Sequence, residues 1–404
     1  MAYMNPNNLN IDKYFLSQLN QKQKEIGELL LDCNLEYTNN VGIMNGLAGI
    51  GLTLSLYYRI TLDERFINKL EQTIEVTNKK IYIEKKLDSS YVQGIAGYAW
   101  LIIYLQENNI LDVDIIDYLA DIDIFLYQEL MFMLDAKQYD SLYESVGLGF
   151  YFLKRKKTEV IEQIIAGLYN NRKNIKGYAT WIRKNPKSNK EEVDFGLSHG
   201  LPGILFFLHK CYVNNISHQK CSEMIQENIA FMFTCMNFSG TPSYLPYTIE
   251  CDKIKQYDIR KNWSRLAWCY GDLSALYILY LLSFCFSTPI DIIGMLEHVA
   301  KRRNEEMIDV RNPGICHGTS GIALIFLRLF LKTGNHGFEE ACHYWLKRTL
   351  SLGNNPTGIV GFVFPENHNN QQLDLLTGIS GIGSVLISFL NPKFNSWDES
   401  IFLT

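Results

Sequence analysis

The sequence predicts an all-α chain: one α/α toroid of seven helix pairs, an inner and an outer ring, carrying a small β-containing insertion. Three observations predict it. A glycine turn recurs along the whole chain, an amphipathic helical pattern precedes each turn, and an apolar run follows it. At 404 residues the length alone would suggest two or three domains, but the repeat runs from end to end and favours one body spanning 1–404.

The clear copies of the turn are Asn45-Gly46-Leu-Ala-Gly49, Gln93-Gly94-Ile-Ala-Gly97, His199-Gly200-Leu-Pro-Gly203, His317-Gly318-Thr-Ser-Gly321 and Thr377-Gly378-Ile-Ser-Gly381. Two degenerate copies fill the gaps. Around Glu144 only the second glycine, Gly147, survives; in Tyr270-Gly271-Asp-Leu-Ser274 only the first does. With 28 glycines, roughly two Gly-x-x-Gly pairs are expected by chance, and seven occur. The two out of phase, Gly334/Gly337 and Gly358/Gly361, match that noise.

Each outer element follows from its spacing. Apolar residues recur every three to four positions near 11–32, 64–79, 113–136, 157–173, 217–236, 290–309 and 337–352, with charges on the other face. The segments after the glycines, such as GILFFLHKCY and GIALIFLRLFL, are apolar nearly all round and must be buried. A helix pair of this kind cannot bury its inner face alone, and a closed ring solves that for all seven. The glycines let backbones approach closely; no strand precedes them, so a nucleotide cradle is not indicated. Two excursions interrupt the pattern, at about 175–195 (hairpin-like) and 237–262, where SYLPYTIE reads as strand.

Composition narrows the function. The chain is 47% hydrophobic and 20% charged, an ordinary globular balance. Its net charge of −5 comes without a basic block, so nucleic acid is not an expected partner. The N-terminus lacks the basic-then-apolar pattern of a signal peptide, and the longest apolar stretch, 275–286, is too short to span a bilayer. Nine cysteines, an odd number scattered through helical patterns, read as reduced thiols. The expectation is a soluble, cytoplasmic protein.

Counting from the first motif position aligns the chemistry. Position −1 holds Asn45, Gln93, His199, Tyr270, His317 and Thr377, and position −2 holds Cys269 and Cys316 in adjacent repeats; Asp140 lies at −4 and Arg265 at −6. In a closed ring such positions share one mouth, a convergence of polar groups that core packing does not need. Cys269, Cys316 and His317 form a zinc set: two thiolates and an imidazole leave a fourth tetrahedral position open, as catalytic sites do. Cys342-His343 is off register inside an outer helix and reads as structural, as do the remaining cysteines. His199 is the natural proton handler, Asp140 its orienting carboxylate, and Arg265 a support for developing negative charge. Asp272 reads as a favourable charge at a helix start.

Trp268-Cys269-Tyr270-Gly271, Cys316-His317-Gly318-Thr-Ser-Gly321 and Leu197-Ser198-His199-Gly200-Leu-Pro-Gly203 together resemble the lanthionine synthetase C-like proteins, specifically the bacterial lantibiotic cyclases. The resemblance spans all seven repeats. It implies fourteen helices, one zinc per chain on Cys269, Cys316 and His317, and an active site lined by His199, Asp140, Arg265 and Tyr270. It implies addition of a precursor-peptide cysteine to dehydroalanine or dehydrobutyrine, closing a thioether ring. It also implies partners at the inner face of the membrane, a dehydratase and an ABC exporter. Glutathione addition to dehydroamino acids shares the same motifs. A non-catalytic peptide scaffold and a zinc hydrolase fit them less well. Two positions depart from the pattern: Ser274 replaces a glycine, and Glu144 replaces another four residues after Asp140, bearing on the placement of that carboxylate.

Overall fold

A computed structural model describes residues 12–85, 88–185, 187–240, 242–254, 263–303, 310, 312–364 and 372–404. Two compact units divide the chain: Met1–Leu126 with Arg311–Thr404, and Tyr127–Val310.

In the first unit the outer helices are α1 (Lys13–Asp32), α3 (Glu64–Asn78) and α13 (His336–Leu352). Their starts are set by short polar side chains that accept orphan amides: Asp12 from Tyr14, Asp63 from Arg65, Asn335 from Gly337. Each buries one stripe only; α1 buries Phe15, Leu19, Ile26 and Leu30. The inner helices are α2 (Leu47–Thr61), α4 (Ile95–Glu107), α12 (Thr319–Thr333) and α14 (Ile379–Leu390). They start at the motif glycines without a side-chain cap. In α4 every residue from Ile95 to Leu105 is buried.

The last repeat packs on the first. Helix α14 lies against α1 and α2, with the Thr53 and Ser384 hydroxyls 2.9 Å apart. Backbone bonds tie the turns of neighbouring repeats together. Met44 and Asn45 donate to the Val92 carbonyl at 3.0 and 2.9 Å, and Leu376 donates to Met44 at 2.9 Å. Ile315 and Cys316 donate to Leu376 at 3.0 and 2.9 Å. The chain end is pinned by the buried pair Arg328–Asp398, whose other carboxylate oxygen accepts from the Thr404 hydroxyl at 2.9 Å.

The second unit carries α6 (Ser145–Lys154), α7 (Thr158–Asn170), α8 (Leu201–Val213), α9 (His218–Thr234), α10 (Asp272–Leu282) and α11 (Ile292–Ala300). Helix α5 (Ala120–Asp135), preceded by a single turn at Ile115–Tyr118, leads into it along the chain. Among the described residues, the seven outer–inner pairs stand where the repeat placed them. Of the outer pattern at 290–309, α11 covers Ile292–Ala300, and 304–309 lie outside the described residues.

The excursions form two small sheets. β1 (Lys173–Ile175) and β2 (Tyr178–Thr180) make a hairpin. β3 (Arg183–Lys184), β4 (Glu191–Asp194) and β5 (Thr248–Glu250) form a three-stranded antiparallel sheet in that order. The stretches at 175–195 and 237–262 are therefore one element, joined by the pairing of β4 with β5; residues 255–262 lie outside the described ones.

The second motif glycine packs first on its own turn, where a Cβ would meet the carbonyl six residues back (Ile43 at 2.5 Å from Gly49, Tyr91 at 2.2 Å from Gly97), and at some positions on the neighbouring repeat as well. A Cβ on Gly97 would fall on the Ile43 amide, and one on Gly49 would lie 2.8 Å from the Leu375 side chain. Backbone cannot move aside as a side-chain tip can. Gly97→Ala is expected to destabilise the fold by about 1–3 kcal/mol. Thermal unfolding should show a midpoint several degrees lower; an unchanged midpoint would refute this packing role.

Candidate functional site

The site residues sit on the loop before each inner helix, and that loop has a common build. In five repeats the first helical amide reaches back to the carbonyl seven residues earlier: Leu47 to Asn40 (3.0 Å), Ile95 to Asp88 (2.7 Å), Ser145 to Gln138 (3.4 Å), Thr319 to Asn312 (2.9 Å) and Ile379 to Gln372 (2.7 Å). In repeats two, four and six the side chain at −6 also closes an Asx turn, accepting the amide of position −4: Asp88 from Ser90 (2.8 Å), Asp194 from Gly196 (2.7 Å), Asn312 from Gly314 (2.7 Å).

The third repeat has Gln138 at −6 and solves the problem from the other end. Glu144 Oε2 accepts from the Asp140 amide at 2.8 Å. Its backbone, at φ −123°, is extended and unstrained. The departure at Glu144 therefore fixes the backbone of Asp140 rather than displacing it. Burial pushes the Glu144 pKa up, against the amide hydrogen bond that lowers it.

Asp140 divides its oxygens. Oδ1 accepts from the amides of Leu142 (2.8 Å) and Tyr143 (2.9 Å), while Oδ2 lies 2.7 Å from His199 Nδ1. With Nδ1 committed, Nε2 is the nitrogen left for chemistry. Burial works against a charged imidazole here. The hydrogen bond and charge of Asp140, with help from Asp194, outweigh it, so the His199 pKa is raised above its ordinary 6.5. The ring of Tyr143 stacks on that of His199 at 5.9 Å and 11°, and Tyr270 lies on it at 6.3 Å and 42°.

Tyr270 is held by its hydroxyl, which donates to Asp194 Oδ2 at 2.8 Å. The same oxygen is 2.7 Å from the Arg183 guanidinium, which also reaches Glu192 Oε1 at 3.0 Å. Asp194 is 4% exposed, and burial raises its pKa despite Arg183 and the two hydrogen bonds. Arg265 donates from its amide (3.1 Å) and from Nε (2.9 Å) to the Tyr247 hydroxyl, and the Tyr247 ring meets Tyr270 edge-on at 5.5 Å. His199, Asp140, Tyr270 and Arg265 thus share one neighbourhood.

The ligand atoms of Cys269, Cys316 and His317 all lie within 4.8 Å of one another, a grouping able to hold a metal ion. Each thiol is anchored through its backbone. The Cys269 carbonyl accepts from the Ser198 amide and hydroxyl, both at 3.3 Å, and the Cys316 amide donates to Leu376. The other pair, Cys342-His343, is core. The thiol is buried and its pKa driven up by burial; the imidazole sits edge-on to Phe15 and Phe389. Asp272 is also structural, but as more than a helix-start charge. Fully buried, it accepts from the amides of Tyr244 and Leu245 at 2.9–3.0 Å and pairs with Arg302 at 2.5 Å.

Sequence reasoning passed over Asp194, Arg183, Tyr247 and Tyr143. Two had a signal: Tyr143 is the −1 residue of the third repeat, and Asp194 is the −6 residue of the fourth. Arg183 and Tyr247 arrive with the inserted sheet, and no repeat register reaches them.

Paired helices, an imidazole backed by a carboxylate and a thiol–thiol–imidazole grouping able to hold a metal ion together define a helical-repeat protein with a polar site on its loops. The chain belongs to the lanthionine synthetase C-like protein family, whose model matches residues 13–402. It is similar to the nisin biosynthesis protein NisC of Lactococcus lactis subsp. lactis, 22% identical over 408 residues covering 95% of this chain and 91% of that protein. Among solved structures it resembles nisin cyclase, with a TM-score of 0.70 at 20% identity, covering 97% of this chain and 98% of that one. The fold is that α/α toroid, as the repeat predicted.

The Asp140–His199 pair carries a pH signature. Because its folded pKa is raised, His199 contributes stability that is complete below about 6.5 and lost as pH rises through the folded value. Asn at 140 keeps an acceptor for Leu142 and Tyr143 but removes the charge. Asp140→Asn is expected to cost roughly 1 kcal/mol near pH 6. Denaturant unfolding across pH should show the gap to the parent narrowing on the alkaline side of neutrality, and a gap that widens there would refute the pairing.

Proposed function

We propose that this chain is a zinc-dependent peptide cyclase, a single toroid over 1–404 that forms lanthionine or methyllanthionine thioether rings in a dehydrated precursor peptide. The observation that carries the reading is the grouping of Cys269, Cys316 and His317. The donor set fits zinc: thiolate and imidazole suit it, and three protein ligands leave one position for a substrate. Zinc bound there would supply the Lewis acidity that lowers a peptide thiol's pKa from about 8.5 and makes thiolate available at neutral pH.

The chain's own residues account for the proton. As sulfur bonds to the β-carbon of the dehydro residue, the π pair moves onto the α-carbon and its carbonyl. His199 Nε2 gives its proton to that α-carbon, and the proton shed by the incoming thiol restores the imidazolium, so none is consumed overall. Asp140 holds the ring by Nδ1 and favours its charged form. Arg265 offers its guanidinium to the developing enolate, oriented by Tyr247. Tyr270 flanks the imidazole.

The same reading makes a dehydratase the source of the dehydrated peptide and an ABC exporter a companion, with the enzyme in the cytoplasm or peripheral at the inner membrane face. No helix among the described residues is long and apolar enough to cross a membrane.

Elemental analysis of the purified chain should find about one zinc. Cys316→Ala should lose it together with ring closure while keeping its helical content. His199→Ala should keep the metal and slow cyclisation roughly 10²–10⁴-fold. Thiol alkylation of a dehydrated precursor, read by mass spectrometry, scores ring closure. Near-zero zinc, or addition of free glutathione in place of ring closure, would overturn the assignment.

A further inference from the structure

One arrangement beside the imidazole has no part in the proposed chemistry. A nearly buried carboxylate, Asp194, sits at the end of strand β4, and an arginine, Arg183, enters from the neighbouring strand β3. In repeats two and six the equivalent side chains, Asp88 and Asn312, also close their own turns. Asp194 does this too, through Oδ1 and Gly196. Its second oxygen is aimed elsewhere, at the Tyr270 hydroxyl (2.8 Å) and the Arg183 guanidinium (2.7 Å).

We propose that Asp194 and Arg183 are positioning residues that clamp Tyr270 beside His199. The inference rests on the reading of His199 as proton handler, but the clamp is testable apart from it. Three observations converge. The phenol donates to a carboxylate instead of facing the imidazole, so Tyr270 contributes its ring and not its proton. The backbone beside it is tied as well, because the Cys269 carbonyl accepts from Ser198 of the same loop that bears His199. Gly196 supplies the room: a Cβ there would lie 2.5 Å from the Tyr270 ring and 2.9 Å from the Cys269 carbonyl. Turn, ring and carboxylate are fitted to one another.

The consequence is mechanical. Tyr270 follows Cys269 directly, so a clamp on the phenol also limits how far the Cys269 backbone can turn. Arg183 balances the charge of Asp194, and Glu192 steadies Arg183 from the same strand. The inserted sheet thereby reaches the loops of repeats four and five and sets the wall on one side of the imidazole.

The test uses the zinc-loaded full chain with labelled histidine, following the His199 Cε1–H resonance, assigned by its absence in His199→Gln. Ring current from Tyr270 and Tyr143 sets its position, so displacement of Tyr270 moves it. Tyr270→Phe cuts the hydroxyl, Asp194→Asn removes the carboxylate charge, and Gly196→Ala pushes on the ring. All three should shift the resonance in the same direction, with zinc content unchanged, and Tyr270→Phe/Asp194→Asn should shift it no further than either single variant. In cyclisation assays each single variant should lower kcat about tenfold with KM nearly unchanged, and the double variant should match the singles. Should Asp194→Asn fail to fold, Arg183→Gln takes its place in the cycle, since Arg183 is 38% exposed and its replacement leaves the turn intact. An unmoved resonance in Tyr270→Phe, or independent effects that add, overturns the clamp. A chain that shows the resonance shifts but closes no rings keeps the clamp and sinks the cyclase reading instead.

Discussion

Backbone pressed against backbone is the constraint on which this molecule depends. Five of the inner helices are reached through a turn whose first helical amide bonds to a carbonyl seven residues back, and the turns of adjacent repeats bond to each other directly, as Leu376 does to Met44 and Ser198 to Cys269. A side chain on Gly97 would collide with the Ile43 amide. Glycine is thus set first by its own turn, whose carbonyl six residues back a Cβ would strike soonest, and the next repeat presses in behind it at Gly49, Gly97 and Gly203. The seven-fold recurrence in sequence is the trace of that turn made again and again. Chemistry rides on it: residues just before the glycine have backbones already fixed by loop bonds, so their side chains need little further ordering to serve a site.

Electrostatics then separates the chemical loops from the merely structural ones. His199 is flanked by Asp140 at hydrogen-bond distance and by Asp194 farther off, and both favour its charged form against the burial that opposes it. Asp194 is itself held by Arg183, a glycine amide and a phenol, so little of its charge is uncompensated. Asp272 shows the contrasting use of a buried acid: its oxygens go to the Tyr244 and Leu245 amides and Arg302, and it holds a loop to a helix.

The repeat was legible because its cause is local and periodic. Helix spacing, glycine turns and the register of Cys269, Tyr270, Cys316, His317 and His199 could all be counted along the chain. What escaped was whatever came from outside the period. Arg183 and Tyr247 belong to the inserted strands, whose partners are chosen by a long-range pairing of β4 with β5 that no local pattern announces. Tyr143 was in register but hidden, since Glu144 replaced the glycine that would have marked it.

The two departures from the glycine pattern fall in the repeats that carry Asp140 and Cys269, and each has a physical reason. At 144 the backbone is extended, so a side chain is permitted, and its carboxylate takes over the amide that an Asx residue caps in other repeats. At 271 the opposite holds. Gly271 alone among the motif glycines has a left-handed φ, at 117°, and a Cβ there would strike the Arg265 carbonyl. The same turn carries Cys269 and Tyr270, and Arg265 keeps its bonds to Tyr247. Three positions on, Ser274 returns its hydroxyl to the Gly271 carbonyl at 3.3 Å, tightening the helix start from inside its own repeat. A scaffold that needed glycine only for packing would keep both positions uniform. Here the repeats that carry Asp140 and Cys269 trade that uniformity for side-chain bonds that hold their own loops.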